Sequence, residues 1–203
     1  MSETLVVAVA GNPNCGKSTL INGMAGTRLH TGNWPGVTVE KKSAILDYED
    51  RKVEFVDLPG IYGLSPYTQE EIIARDYLIY EKPDAIINVV DATNLERNLY
   101  LTFQLIELGI PMIIALNIYD EAEKKGYEID AKAMGNMLGV TVIPTVATKK
   151  MGLENLLKTV IDVAGNPELH YPKPLNYGED IESAIKNLAE QINKTALNGK
   201  YPA

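Results

Sequence analysis

A doubly wound α/β domain, with a mostly parallel sheet flanked by helices on both faces, is the fold this sequence predicts, and three observations carry it. Apolar runs of strand length alternate with segments of helical periodicity along most of the chain. Residues 53–57, 85–91, 112–117 and 140–143 are rich in β-branched side chains, as buried parallel strands are. A glycine-rich loop sits between a first apolar run and a helical segment near the start. With 203 residues, 45% of them apolar, the chain can bury one sizeable core and still carry a small appendage.

The first strand is read at residues 4–10, Thr-Leu-Val-Val-Ala-Val-Ala. It runs into Gly11-Asn12-Pro13-Asn14-Cys15-Gly16-Lys17-Ser18, which fits the phosphate-binding pattern of Gly, four variable residues, Gly-Lys and Ser or Thr. Glycine lets backbone N–H groups turn inward around phosphates, Lys17 neutralises the β and γ oxygens, and the Ser18 hydroxyl suits Mg²⁺. Thr19 and the run Leu20 to Ala25 continue as a short helix whose N-terminus faces the anion. A nucleoside triphosphate is therefore the expected ligand. Cys15 lies inside the loop, where the helix N-terminus would lower a thiol pKa and bound phosphates would raise it, and it is expected to be a passive filler.

Residues 39–48, a polar turn at 49–52 and residues 53–56 read as an antiparallel hairpin at one sheet edge. The second of these strands delivers Asp57-Leu58-Pro59-Gly60, 40 residues after Lys17. This is the Asp-x-x-Gly element, whose Asp holds Mg²⁺ through water and whose Gly N–H bonds the γ-phosphate. Helices are expected over 72–80, 95–108, 130–138 and 153–163, where apolar residues fall three and four apart, with Asp130 as an N-cap. At the end of the 112–117 strand, Asn117-Ile118-Tyr119-Asp120 fits Asn-x-x-Asp. Such an Asp accepts from guanine N1–H and the 2-amino group, whereas adenine would leave the carboxylate facing an acceptor, at a cost of about 1–3 kcal/mol. The base is expected to be guanine. After the last strand, Thr145-Val146-Ala147-Thr148 resembles the loop whose alanine N–H reads guanine O6 and adds Val146, Ala147 and Thr148 to the site. Ile118 stands where many such proteins carry a lysine that stacks along the base, so weak GDP binding and fast release are expected.

Three prolines within residues 167–174 break the periodicity and mark a linker, giving a first domain at 1–165, a linker at 166–178 and a second segment at 179–203. In that segment Ile181, Ile185, Leu188, Ala189 and Ile192 share one face of an amphipathic helix running to about Leu197. The chain stops at Tyr201-Pro202-Ala203 before a further domain is complete, which reads as truncation. A net charge of −8 argues against a nucleic-acid surface. One cysteine excludes an internal disulfide and fits the cytosol, and no signal peptide or run near 18 apolar residues is present. His30 and His170 lack partners at metal-ligand spacing and read as surface residues, and residues 121–125 read as a solvated charged face.

With these motifs in place the chain resembles the small GTPases and, more narrowly, the G domain of the prokaryotic ferrous iron transport protein B family. The resemblance covers residues 4 to about 165. It rests on Gly11-Asn12-Pro13-Asn14, the block Gly32-Asn33-Trp34-Pro35-Gly36-Val37-Thr38-Val39-Glu40, Asp57-Leu58-Pro59-Gly60-Ile61-Tyr62, Ala74-Arg75-Asp76-Tyr77 and the block from Asp91 to Leu99. It implies a P-loop GTPase fold with a C-terminal helical appendage that slows nucleotide dissociation, followed in the family by a membrane domain that carries Fe²⁺. It implies GTP hydrolysis to GDP with Mg²⁺ held by Ser18, Thr38 and Asp57, and a first switch in which Gly36, Val37 and Thr38, 21 residues after Lys17, approach the nucleotide. Ile61 replaces the water-orienting glutamine of Ras and cannot hydrogen-bond water. The resemblance implies that K⁺, held by Asn14 and by carbonyls near Trp34, supplies the missing charge, so the catalytic set is Asn14, Lys17, Thr38 and Gly60. Trp34, between Asn33 and Pro35, lacks any apolar period and is expected at a mobile position. Glu70 and Glu71, after the second switch, are candidates to relay nucleotide state. The implied partners are guanine nucleotide, the family's own membrane domain and, as a candidate, a second copy of the domain, with no nucleic acid. The implied location is the cytoplasmic face of the cell membrane. The alternative is a stand-alone soluble GTPase of ribosome or RNA maturation, which the acidic charge opposes.

Overall fold

The computed structural model describes residues 4–26 and 29–193, in two compact units divided between Lys173 and Pro174. The first unit is built on a seven-stranded sheet of order β2-β3-β4-β1-β5-β6-β7. Its strands are β1 (Leu5–Gly11), β2 (His30–Asn33), β3 (Glu40–Tyr48), β4 (Arg51–Asp57), β5 (Ala85–Asp91), β6 (Met112–Asn117) and β7 (Thr141–Pro144). From β4 to β7 every pairing is parallel, while β2, β3 and β4 form an antiparallel edge. The helices are α1 (Lys17–Ala25), α2 (Gln69–Asp76), α3 (Leu95–Glu107), α4 (Tyr119–Lys124), α5 (Ala131–Leu138) and α6 (Leu153–Gly165), with α7 (Glu179–Asn193) in the second unit.

Strand periodicity decides which residues meet which helices. Val7, Val9, Phe55, Ile87, Val89 and Ile113 join Leu20, Ile21, Leu156 and Val160 in one buried cluster, so α1 and α6 cover that face. On the opposite face of β5, Asn88 Nδ2 donates to Thr102 Oγ1 of α3 at 2.6 Å, which satisfies two buried polar groups together. Pro144 closes β7 at the sheet edge, where the missing N–H costs no ladder bond.

The hairpin expected at 39–56 forms as β3 and β4, with Tyr48 opposite Arg51. Asp130 caps α5 by accepting from Ala133 N–H at 2.8 Å. The helix expected over 72–80 begins earlier, because Thr68 and Glu71 close a reciprocal capping box at its start. It then passes at Tyr77–Glu81 into a π-helical turn. The short edge strand β2, exposed throughout, has no apolar signal and pairs through its backbone with β3. In the second unit, Ile181, Ile185, Leu188 and Ile192 of α7 carry exposed apolar surface. The part of that helix expected beyond Asn193, and the chain end at 201–203, lie outside the described residues.

Candidate functional site

The loops at the C-terminal ends of β1, β4 and β6 converge, as parallel α/β sheets favour. The loop from Gly11 to Ser18 leaves β1 and enters α1 through Gly16, whose φ of 96° is left-handed and open to glycine. A side chain at Gly16 would overlap the Asn117 amide, and one at Gly11 would come within 2.8 Å of Cys15 Sγ. Asn14 also adopts a left-handed φ, 64°. Lys17 Nζ donates to the carbonyls of Gly11 and Asn12, both at 3.3 Å, and so lies within the loop's curve. Burial pushes the Cys15 thiol above its ordinary pKa against the pull of Lys17, which suits a packed filler rather than a nucleophile.

Asp57 reaches this loop from the end of β4. Its Oδ2 accepts from Ser18 Oγ at 2.6 Å, while its buried Oδ1 has no hydrogen-bond partner. Burial raises the Asp57 pKa, opposed by the Ser18 hydroxyl and by the charges of Lys17 and Lys42. Beyond it, Gly60 lies so close to the loop that a Cβ would stand 2.9 Å from Pro13 Cα and 3.2 Å from Lys17 Nζ. Ile61 N–H donates to Gly11 O at 3.3 Å, and its side chain is buried. Tyr62 is covered by the Arg97 guanidinium, 4.1 Å from the ring centroid, and Asn12 Nδ2 donates to Arg97 O at 3.4 Å.

Asn117 organises the other end. Its Nδ2 donates to Cys15 O at 2.8 Å, and its Oδ1 accepts from Ala147 N at 3.0 Å and from Thr145 Oγ1 at 3.3 Å. One buried amide thus joins the phosphate loop, β6 and the 145–148 loop. Ile118 turns the chain with φ 60°, so that α4 starts at once and carries Asp120. A cavity of about 380 Å³ results, lined by Asn14, Gly16, Thr19, Asn117, Ile118, Asp120, Glu121, Val146, Ala147 and Thr148. Lys149, which sequence reasoning missed, pairs with the lining residue Asp120, its Nζ 2.6 Å from Asp120 Oδ2. A separation of 29 positions between that lysine and that carboxylate leaves no sequence signal for the pair.

The first switch lies elsewhere. Trp34, expected to be mobile, is instead buried edge-on to Tyr77, with centroids 5.3 Å apart, and Lys41 Nζ stands 5.2 Å over the indole. The reason is local pairing: Trp34 N–H donates to Val39 O at 2.9 Å, which closes the β2–β3 turn and directs the indole onto the π turn. Trp34 and Asn14 line different cavities, and the Trp34 carbonyl accepts from Val37 N–H at 3.3 Å. Thr38 is exposed, with no hydrogen bond to Ser18 or Asp57 among the described residues, and Gly36 takes a φ of 76° in the same turn.

Comparison with known proteins agrees with this geometry. The family profile of ferrous iron transport protein B matches residues 5–160. The chain is 49% identical over 189 residues to the Fe(2+) transport protein A/Fe(2+) transporter FeoB fusion protein of Porphyromonas gingivalis, covering 92% of this chain and 22% of that protein. It is also 49% identical over 181 residues to the Fe(2+) transporter FeoB of Salmonella typhimurium, covering 85% of this chain and 23% of that one. The chain therefore spans less than a quarter of the length of these curated relatives. Among solved structures, the cytosolic domain of the T. maritima FeoB iron transporter in a GDP form superposes with a TM-score of 0.90 at 37% identity, over 97% of this chain and 77% of that one. No helix among the described residues is long and apolar enough to cross a membrane.

Proposed function

The chain belongs to the ferrous iron transport protein B family, and on that premise we propose that it binds GTP and hydrolyses it to GDP and phosphate as the G domain of a ferrous iron transporter. One observation carries this reading. Asn117 ties the loop that holds Lys17 and Ser18 to the cavity that holds Asp120 and Ala147 N–H, so a single molecule can meet both ends. The phosphates would lie against the backbone of residues 11–16, with Lys17 exchanging its bonds to loop carbonyls for phosphate oxygens. The base would lie in the cavity, its N1–H and 2-amino group on Asp120, with Ala147 N–H exchanging its bond to Asn117 Oδ1 for the base O6.

The unpartnered Asp57 Oδ1 beside the Ser18 hydroxyl is an oxygen donor set that fits Mg²⁺, with Thr38 as a further ligand once the first switch approaches. Bound there, the ion would offset phosphate charge. In hydrolysis a water oxygen bonds to the γ-phosphorus as the bond to the β–γ bridging oxygen breaks, leaving GDP and phosphate. Lys17 and Gly60 N–H, close together beside the loop, would offset that shifting charge. Ile61, buried and apolar, cannot orient the water. A K⁺ ion held by Asn14 and by the first switch would supply the charge instead. The second unit, on the same reading, begins the family's helical domain, and the membrane domain that moves Fe²⁺ is the partner of both.

Calorimetric titration with GTP, GDP and ATP analogues tests the assignment. Guanine nucleotides should bind and ATP should not; equal binding of ATP, or no binding of any, would overturn it. Phosphate release should be faster in KCl than in NaCl at equal ionic strength, and equal rates would dismiss the K⁺ role.

A further inference from the structure

Bonded to a carboxylate of the base cavity is one cation that neither the nucleotide motifs nor the family resemblance assigns. Lys149 ends the short 3₁₀ turn Ala147–Lys149, and its ammonium donates to Asp120 Oδ2 at 2.6 Å. The other charged groups around Asp120 are already engaged: Lys124 pairs with Glu121 at 2.6 Å on the same helix. Asp120 is mostly covered, with 19% of its side chain exposed, whereas the Lys149 side chain is 61% exposed. The carboxylate that lines the cavity is thus held through Oδ2 by the more exposed partner. The same loop is fixed at its start, where Ala147 N–H donates to Asn117 Oδ1.

We propose that Lys149 is a positioning residue for base recognition, which orients the Asp120 carboxylate and latches the 145–149 loop to α4, so that guanine nucleotide leaves only as this latch opens. The proposal rests on the reading of Asp120 as the base-recognising carboxylate. Guanine needs both carboxylate oxygens, one for N1–H and one for the 2-amino group, so its binding depends on the orientation of the whole group. Hypoxanthine lacks the 2-amino group and needs only one. Ile118 stands where other GTPases carry a base-stacking lysine, which leaves Lys149 as the cation bonded directly to the base-reading carboxylate. An exposed ion pair adds little to stability, so its effect belongs to geometry and to release kinetics.

The test follows release of ribose-labelled fluorescent GDP, and of its inosine counterpart, from the wild-type chain and from K149M, K149R and D120N. K149M should release GDP roughly two- to fivefold faster, the range an exposed ion pair allows. Its preference for GDP over the inosine nucleotide should shrink, and K149R should restore both. Unchanged or slower GDP release from K149M, or equal acceleration of both nucleotides, would overturn the latch, since general loosening of the loop would not distinguish them. If D120N loses GDP while K149M behaves as wild type, base reading stands and only the role of Lys149 fails. If D120N holds GDP as the wild type does, the reading of Asp120 fails and the proposal with it.

Discussion

Asn117 shows how much one buried side chain can hold. Its amide satisfies a carbonyl of the phosphate loop and accepts from two groups of the 145–147 segment. Replacing it with alanine would leave these groups unpaired in the interior, and N117A is expected to lose about 2–3 kcal/mol of stability in urea unfolding of the ligand-free protein. Asp57 makes the opposite prediction. Its pKa is raised mainly by burial, so folding disfavours its charged form relative to the unfolded chain. A group whose folded pKa lies above its unfolded value stabilises fully below the unfolded value, near pH 4, and that contribution is lost as pH rises through the folded pKa. Ligand-free protein should therefore show a stability contribution that declines from about pH 4 upward, and D57N should flatten that part of the profile in thermal melts while abolishing Mg²⁺-dependent nucleotide binding. Both residues stand out in the sequence as motif members. Their bonds do not, because the partner of Asn117 is a backbone carbonyl 102 positions away. Lys149 was illegible for the same reason, since its role depends on where a short 3₁₀ turn aims its side chain.

At the scale of elements, legibility follows the strength of the apolar pattern. The buried strands β1, β4, β5 and β6 and the helices α3 and α6 were readable because burial on one or both faces leaves a periodic trace. The strand β2 left none, being exposed and paired through its backbone with β3. Apolar spacing places the start of α2 too late because that start is set by a cap: Thr68 Oγ1 accepts from Glu71 N–H at 3.2 Å and the Glu71 carboxylate accepts from Thr68 N–H at 3.1 Å. T68A is expected to cost about 1 kcal/mol and to raise amide hydrogen exchange over residues 69–73 first. Glu71, considered for a relay of nucleotide state, is thus already committed to this cap, whereas Glu70 makes no bond in it.

At the scale of the molecule, every residue proposed to touch nucleotide or Mg²⁺ lies in the first unit, and so does every described buried apolar side chain. A chain shortened to residues 1–173 should therefore bind GDP with an affinity within about twofold of the full chain, measured by the same calorimetry. A large loss would mean that the second unit completes the site. The net charge of −8 opposes an anionic ligand at long range, so nucleotide binding rests on short-range contacts such as those of Lys17 and the phosphate loop rather than on the overall field. One further consequence follows from the packing of the first switch. Trp34 is the chain's sole indole, so red-edge excitation yields emission from one fluorophore, buried against the Tyr77 ring. Any displacement of that turn toward the phosphates would shift its spectrum to longer wavelength, giving the unlabelled protein a native optical gauge of switch position.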